Sequence, residues 1–193
     1  NNFLEMAIEE CDRMTRLVGD LLVLSRLDNK KTSWKIETFD AERFIEHIYD
    51  VMSVSAKERE QTLTMKCESD IPDVTADKEK LQQVIINIVS NAVKYTPKGG
   101  NVAITAKNSG GFFLISVSDN GIGIPKDDLP RIFERFYRVE KSRTSDAGGT
   151  GLGLAIAKEI IDAHGGDIKI YSEIGRGTHV DVFIPYKTKL ENV

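Results

Sequence analysis

From residue 3 to residue 28 the chain contains no proline and one glycine, and Cys11, Met14, Leu17, Val18, Leu21, Leu24 and Leu27 recur at spacings of three and four. Such spacing gathers side chains along one side of a helix, so the pattern predicts a long amphipathic helix with a coiled-coil-like seam. The chain has no second long helix to cover that seam. One half of a helical hairpin or bundle is therefore expected, with a helix folded back on the rest of the chain as the alternative. The polar stretch Asn29 to Ser33 breaks the pattern and marks a linker, dividing the chain into units 1–30 and 31–193.

Past the linker, Trp34 to Phe39 reads as a short strand. Asp40 can cap a helix whose Phe44, Ile48, Val51, Met52 and Ser55 face the core, and a strand around Thr62 and Thr64 follows before Pro72 forces a turn. Asp77 caps the next helix, with Leu81, Val84, Ile85, Ile88 and Ala92 as its buried stripe and Thr96-Pro97 with Gly99-Gly100 as its end. Two strands, Asn101 to Lys107 and Gly111 to Ser118, join through Asn108-Ser109-Gly110 as a hairpin. A short helix is expected from Asp127 to Phe136, a mobile loop from Tyr137 to Gly149, a helix from Leu152 to His164, and a closing hairpin around Gly175-Arg176-Gly177. Helices and mainly antiparallel strands without a regular βαβ rhythm give an α+β fold, one mixed sheet covered by helices.

Composition narrows the function classes. With 193 residues, 40% of them apolar, one core and an appendage are affordable in size. A net charge of −4 and a pI near 5.5 disfavour nucleic acid and anionic membrane surfaces as partners. Cys11 and Cys67 match no metal-ligand spacing and suggest no disulfide framework, which fits a reducing, cytoplasmic setting. No apolar run approaches the roughly 20 residues of a membrane helix.

Three clusters carry chemistry. Asp119-Asn120-Gly121-Ile122-Gly123-Ile124-Pro125 follows the apolar run Phe112 to Val117 and sets an acid and two glycines at a strand end. Glycines let a backbone approach a ligand, and a carboxylate accepts from an exocyclic amine, so this stretch suits the floor of an adenine nucleotide pocket; an ordinary turn has the same composition. Asn87, Asn91, Lys94 and Tyr95 stand at i, i+4, i+7 and i+8 on one helix face, away from the apolar stripe. Neutral amide oxygens suit a magnesium ion that keeps waters and phosphates, and a lysine can neutralise a terminal phosphate, although a solvated helix face would also be polar. The second glycine cluster, Gly148-Gly149-Thr150-Gly151-Leu152-Gly153-Leu154, opens the last long helix, where free N–H groups and the helix dipole favour phosphate. Neither cluster has the third glycine of a dinucleotide fingerprint, and no Gly-Lys pair of a Walker A loop occurs.

In order, Asn87 to Thr96, Asp119 to Pro125, Phe133-Glu134-Arg135-Phe136-Tyr137-Arg138 and Gly149 to Leu154 resemble the N, G1, F and G2 boxes of bacterial sensor histidine kinases of two-component systems, with a type from Gram-positive bacteria as the nearest. The resemblance covers Ser33 to about Pro185 as the ATP-binding domain, and Asn1 to Asp28 looks like the second helix of the family's dimerisation hairpin. It implies a Bergerat-type two-layer sandwich preceded by one long helix, with ATP and Mg2+ as cofactors. Asp119 would accept the adenine amino group, and Asn91 would hold the metal with Asn87 as second polar contact. Lys94 and Tyr95 would flank the nucleotide. Arg135, Tyr137 and Arg138 would stand beside the phosphates, with Asn87, Lys94, Arg135 and Arg138 taking the catalytic parts. Gly121, Gly123 and Ile124 would shape the adenine side, and Gly149, Thr150, Gly151, Leu152 and Gly153 the phosphate side. Residues 137–150 would order as a lid.

The family's phosphoacceptor is a histidine followed by an acid and, further on, a proline. His47, His164 and His179 lack that context, and structural or surface roles are expected for all three. The implied partners are therefore an acceptor hairpin of the same or another subunit, a response regulator and a second copy in the intact protein. Membrane attachment would come only through preceding segments, with this domain in the cytoplasm. Two other functions stay open: a clamp ATPase related to gyrase and the heat-shock chaperones, and a nucleotide-binding module without catalysis. The clamp enzymes use a glutamate one turn before the metal-binding Asn; here Asn87 holds that place, and an amide cannot take a proton from water.

Overall fold

The computed structural model describes residues 2–29, 32–139 and 149–190. A long helix α1 (Asn2–Asp28) precedes β1 (Ile36–Phe39), α2 (Ala41–Glu58), β2 (Thr62–Cys67), β3 (Val74–Asp77) and α3 (Lys78–Tyr95). Then follow β4 (Asn101–Ser109), β5 (Phe112–Asp119), α4 (Gly153–Ala163), β6 (Asp167–Glu173) and β7 (Gly177–Pro185). A five-stranded sheet runs in the order β2-β4-β5-β7-β6, and β1 pairs with β3 in a small second sheet. Only β2 against β4 is parallel in the larger sheet, so the arrangement is mixed and mainly antiparallel.

Local chemistry accounts for the helix starts. Asp40 accepts from the Arg43 amide at 2.7 Å and Asp77 from the Lys80 amide at 3.0 Å, each satisfying a free donor of the first turn. Helices α2, α3 and α4 lay Phe44, Ile45 and Ile48, then Leu81, Ile85 and Ile88, then Ile156, Ile160 and Ile161 over one face of the sheet. Ile104, Ile115, Val182 and Ile184 rise from the strands to meet them, all fully buried. Each such side chain contributes roughly 1.5–3 kcal/mol relative to exposure.

Several boundaries differ from the sequence-based expectations. Val51 is 44% exposed, because the buried stripe of α2 follows Ile45, Ile48, Met52 and Ala56 instead. β1 begins at Ile36, and the Trp34 ring ahead of it packs nearly perpendicular to His164, with centroids 5.1 Å apart. β3 was not expected; Val-Thr-Ala-Asp is too short to show alternation and exists through its pairing with β1. The β4–β5 turn lies at Gly110-Gly111, both at positive φ. The expected helix from Asp127 to Phe136 is a single 3₁₀ turn, Leu129–Arg131, among i→i−3 turns. Pro130 restricts the residue before it, and Phe136 takes φ +64 to give its amide to Gly151 O.

The C-terminal end of the long helix takes the folded-back alternative. Leu24 is buried, and Val23 and Leu27 pack against the core, so the C-terminal end of α1 folds back on the domain beside α4. Met14, Val18, Leu21 and Leu22 stay exposed along the same helix. No helix of the described residues is long and apolar enough to cross a membrane.

Candidate nucleotide-binding site

Between α3 and the ends of β5 and β7 opens a cavity of about 1110 Å³. Its floor is apolar, with Val117 and Val180 from the sheet and Ile88 and Ala92 from α3, and Asp119 is the acid set into it. The strand pairing that puts Asp119 opposite Thr178 brings both side chains to the same face. Asp119 Oδ1 accepts from the amides of Gly121 at 2.8 Å and Thr178 at 3.2 Å, which fixes the carboxylate and leaves its second oxygen for a ligand. Burial pushes the Asp119 carboxyl above its usual range, and the two amides partly offset that by favouring the anion.

The glycines are set by close approach. Gly123 has φ +71, and a Cβ there would lie 2.1 Å from Glu173 O; the adjoining loop is tied by Ile124 N donating to Ser172 Oγ at 2.8 Å. A Cβ on Gly153 would lie 2.5 Å from Asn87 Oδ1, so the start of α4 rests on the Asn87 amide.

On the far side, Asn87, Asn91, Lys94 and Tyr95 line the cavity from α3. Lys94 Nζ stands 5.0 Å from the Tyr95 ring centroid and borders the second glycine loop, 3.1 Å from where a Gly149 Cβ would be. Asn87 Nδ2 is buried without a hydrogen-bond partner among the described residues. An orphaned amide donor beside neutral amide oxygens suits phosphate oxygens or metal-bound water, and the Asn91 amide suits the metal itself.

Of the other expected site residues, Gly123, Ile124, Tyr137, Arg138, Gly149, Thr150, Gly151 and Gly153 line the cavity. Gly121 lies behind it, against Tyr95 O, and Leu152 is fully buried in the core. Arg135 is not where the sequence placed it: its guanidinium holds Asp28 of α1, at 2.7 Å from Nη1, and borders Glu159 of α4 at 3.5 Å. The Asp28 carboxylate holds this guanidinium more basic and is itself held below its usual range. None of the three histidines lines the cavity. Most of the expected lid, residues 140–148, lies outside the described residues.

Sequence reasoning missed Thr178, Asp20 and Arg16, all of which line the cavity. Asp20 reaches it from α1 and accepts from Thr150 Oγ1 at 2.8 Å. Only strand register and the docking of α1 reveal these residues; the Gly177-Thr178 step after the last glycine turn is the one local signal.

The family described as histidine kinase-, DNA gyrase B- and HSP90-like ATPase matches residues 76–188, which hold the cavity's two glycine loops and the Asn face of α3. The chain belongs to this family. Over 192 residues it is 44% identical to the sensor histidine kinase WalK of Bacillus subtilis, covering 98% of the chain and 31% of that protein. It is 42% identical over 189 residues to the sensor protein kinase WalK of Staphylococcus aureus, covering 95% of the chain and 44% of that sequence. The chain thus spans between about a third and a half of these relatives. Its whole length matches 40% of the crystallised full-length ShkA, in complex with AMPPNP, with a TM-score of 0.84 and 30% identity. The α+β sandwich is the fold that the sequence leads one to expect.

Proposed function

We propose that this ATPase-family domain binds ATP with Mg2+ and transfers the γ-phosphoryl group to a histidine on a helical hairpin, for onward transfer to a response-regulator aspartate. The observation that carries this is one cavity with the Asp119 acceptor at its apolar end and amides, Lys94 and the second glycine loop at the other. Asp119 would hold the adenine amino group. Asn91, with Asn87 behind it, would hold the ion; magnesium supplies charge neutralisation across the phosphates when bound. Lys94 and Arg138 would set the terminal phosphate, and the backbone amides at the start of α4 would cradle its oxygens. The names of the WalK relatives and the AMPPNP held by ShkA support the same assignment.

Residues 1–30 would be the second helix of a dimerisation hairpin, with the exposed Met14, Val18, Leu21 and Leu22 facing the rest of a bundle, and residues 31–193 the catalytic unit. A clamp ATPase is disfavoured because Asn87 offers no base, and the acids lining the cavity among the described residues are Asp20, bound to Thr150, and Asp119 at the adenine end.

Labelled ATP tests the assignment. The chain alone should acquire no stable label, and a separately produced acceptor hairpin should become labelled on mixing. A hairpin left unlabelled while ADP accumulates would establish hydrolysis instead.

A further inference from the structure

We propose that Ser172 is a positioning residue that fixes the hydrogen-bond polarity of the cavity floor and so sets its choice of base, a proposal that rests on the nucleotide assignment above. Ser172 stands on β6 behind the cavity, and its hydroxyl has three partners. Ile124 N donates to Oγ at 2.8 Å, Gly177 O lies at 2.9 Å, and Thr178 Oγ1 lies at 2.9 Å. A carbonyl oxygen can only accept, so the one proton of Ser172 goes to Gly177 O. The remaining contact then has one solution: Thr178 donates to Ser172.

That assignment removes a rotor from the site. A threonine hydroxyl normally turns to donate or accept as a ligand requires. Here its proton is committed behind the wall, and Thr178 presents only lone pairs to the cavity it lines. Directly across the strand pair, Asp119 presents its second carboxylate oxygen, the first being held by the Gly121 and Thr178 amides. Asp119 and Thr178 therefore offer two acceptors side by side, and neither side chain offers a donor. A 6-amino purine brings N–H groups to such a wall. A 6-oxo purine brings a carbonyl oxygen, which finds no donor there and is rejected for an unpaired buried acceptor.

Inosine triphosphate replaces the 6-amino donor with a carbonyl acceptor, with N1 turning from acceptor to N–H donor, and adds no 2-amino group, which makes it the probe. The ratio of ITP to ATP dissociation constants is measured by calorimetry for the 193-residue chain with magnesium present. Ser172→Ala frees the Thr178 proton, and the ratio should fall about tenfold even if loss of the Ile124 contact weakens both nucleotides. Adding Thr178→Val to Ser172→Ala should bring the ratio to that of Thr178→Val alone, because Ser172 acts through the Thr178 hydroxyl. A merely structural role for Ser172 would weaken ATP and ITP by the same factor, and that result overturns the proposal.

Thr178→Val alone gives an answer that does not need Ser172→Ala to fold. With the proton held behind the wall, removing Thr178 takes away an acceptor that repels the 6-oxo group, so ITP should gain on ATP several-fold. If the hydroxyl instead turned to donate to the ligand, ITP would lose, and the ratio would widen. Failure of the unaltered chain to bind either nucleotide would remove the nucleotide assignment and this proposal together. ATP binding with unchanged ratios in the variants would remove this proposal alone.

Discussion

Asp119→Asn separates what the carboxylate does for the fold from what it does for a ligand. In the folded chain Oδ1 is occupied by the Gly121 and Thr178 amides. An asparagine has one carbonyl oxygen, and those two donors claim it, so its NH2 group must occupy the ligand side. An adenine amino group would then meet a donor in place of a charged acceptor. A hydrogen bond to a charged group contributes about 1.5–3 kcal/mol. At about 1.4 kcal/mol per decade, ATP affinity should fall by about ten- to hundredfold.

The fold should not suffer. Burial raises the Asp119 pKa, so the folded chain takes up a proton more readily than the unfolded chain over the interval above 3.8. Stability therefore declines as pH rises through that interval, and at neutral pH the native protein bears an ionisation cost that asparagine lacks. The variant should melt at or above the temperature of the native protein. ATP affinity of the native protein should weaken on acidification while Asp119 takes up its proton, and that dependence should vanish in Asp119→Asn. Calorimetry with MgATP across pH, beside a thermal melt, measures both. Unchanged ATP affinity in a folded variant refutes the adenine assignment.

Further outcomes test other parts of the structure. Gly153→Ala needs no left-handed backbone and should favour α4 by up to about 1 kcal/mol, yet its Cβ would meet Asn87; ATP affinity should drop at least about tenfold while denaturant stability holds or rises. Arg135→Ala should leave ATP affinity within about twofold, because the guanidinium faces Asp28 and not the cavity, but amide exchange at the C-terminal end of α1 should speed up. His164 is buried, receiving from Asp77 N at 3.2 Å through Nε2 and giving Nδ1–H to Ile160 O at 2.8 Å. His164→Phe would orphan the Asp77 amide and cost about 1–3 kcal/mol in urea unfolding. Burial lowers the His164 pKa, so its contribution is complete above the unfolded value of 6.5 and is lost as pH falls below it; the phenylalanine variant should lose that part of the acid sensitivity.

What the sequence discloses here follows from the range of the forces involved. The caps Asp40 and Asp77 and the stripe of α3 depend on neighbours within four residues, and each stands where local pattern puts it. The Asn face of α3 was legible for the same reason, because helical spacing alone aligns Asn87, Asn91 and Lys94. β3 depends on pairing with β1, about forty positions away, and had no local signature. Thr178 reached the floor through strand register, and Asp20 through the docking of α1, neither of which a linear pattern encodes. Arg135 shows the opposite failure. Its neighbours in sequence suggested phosphate, but a bidentate partner from α1 claimed the guanidinium first.

The docking of α1 has a thermodynamic consequence. Asp20 both borders the cavity and holds Thr150, while Asp28, eight residues on, holds Arg135. Eight residues are a little over two helical turns, about 12 Å, so both carboxylates project from one side of α1. Occupancy of the cavity and attachment of this helix thus share groups, and sharing makes them reciprocal. If detaching α1 alters nucleotide affinity by some factor, nucleotide must alter the attachment of α1 by the same factor. Measuring either one therefore determines the other.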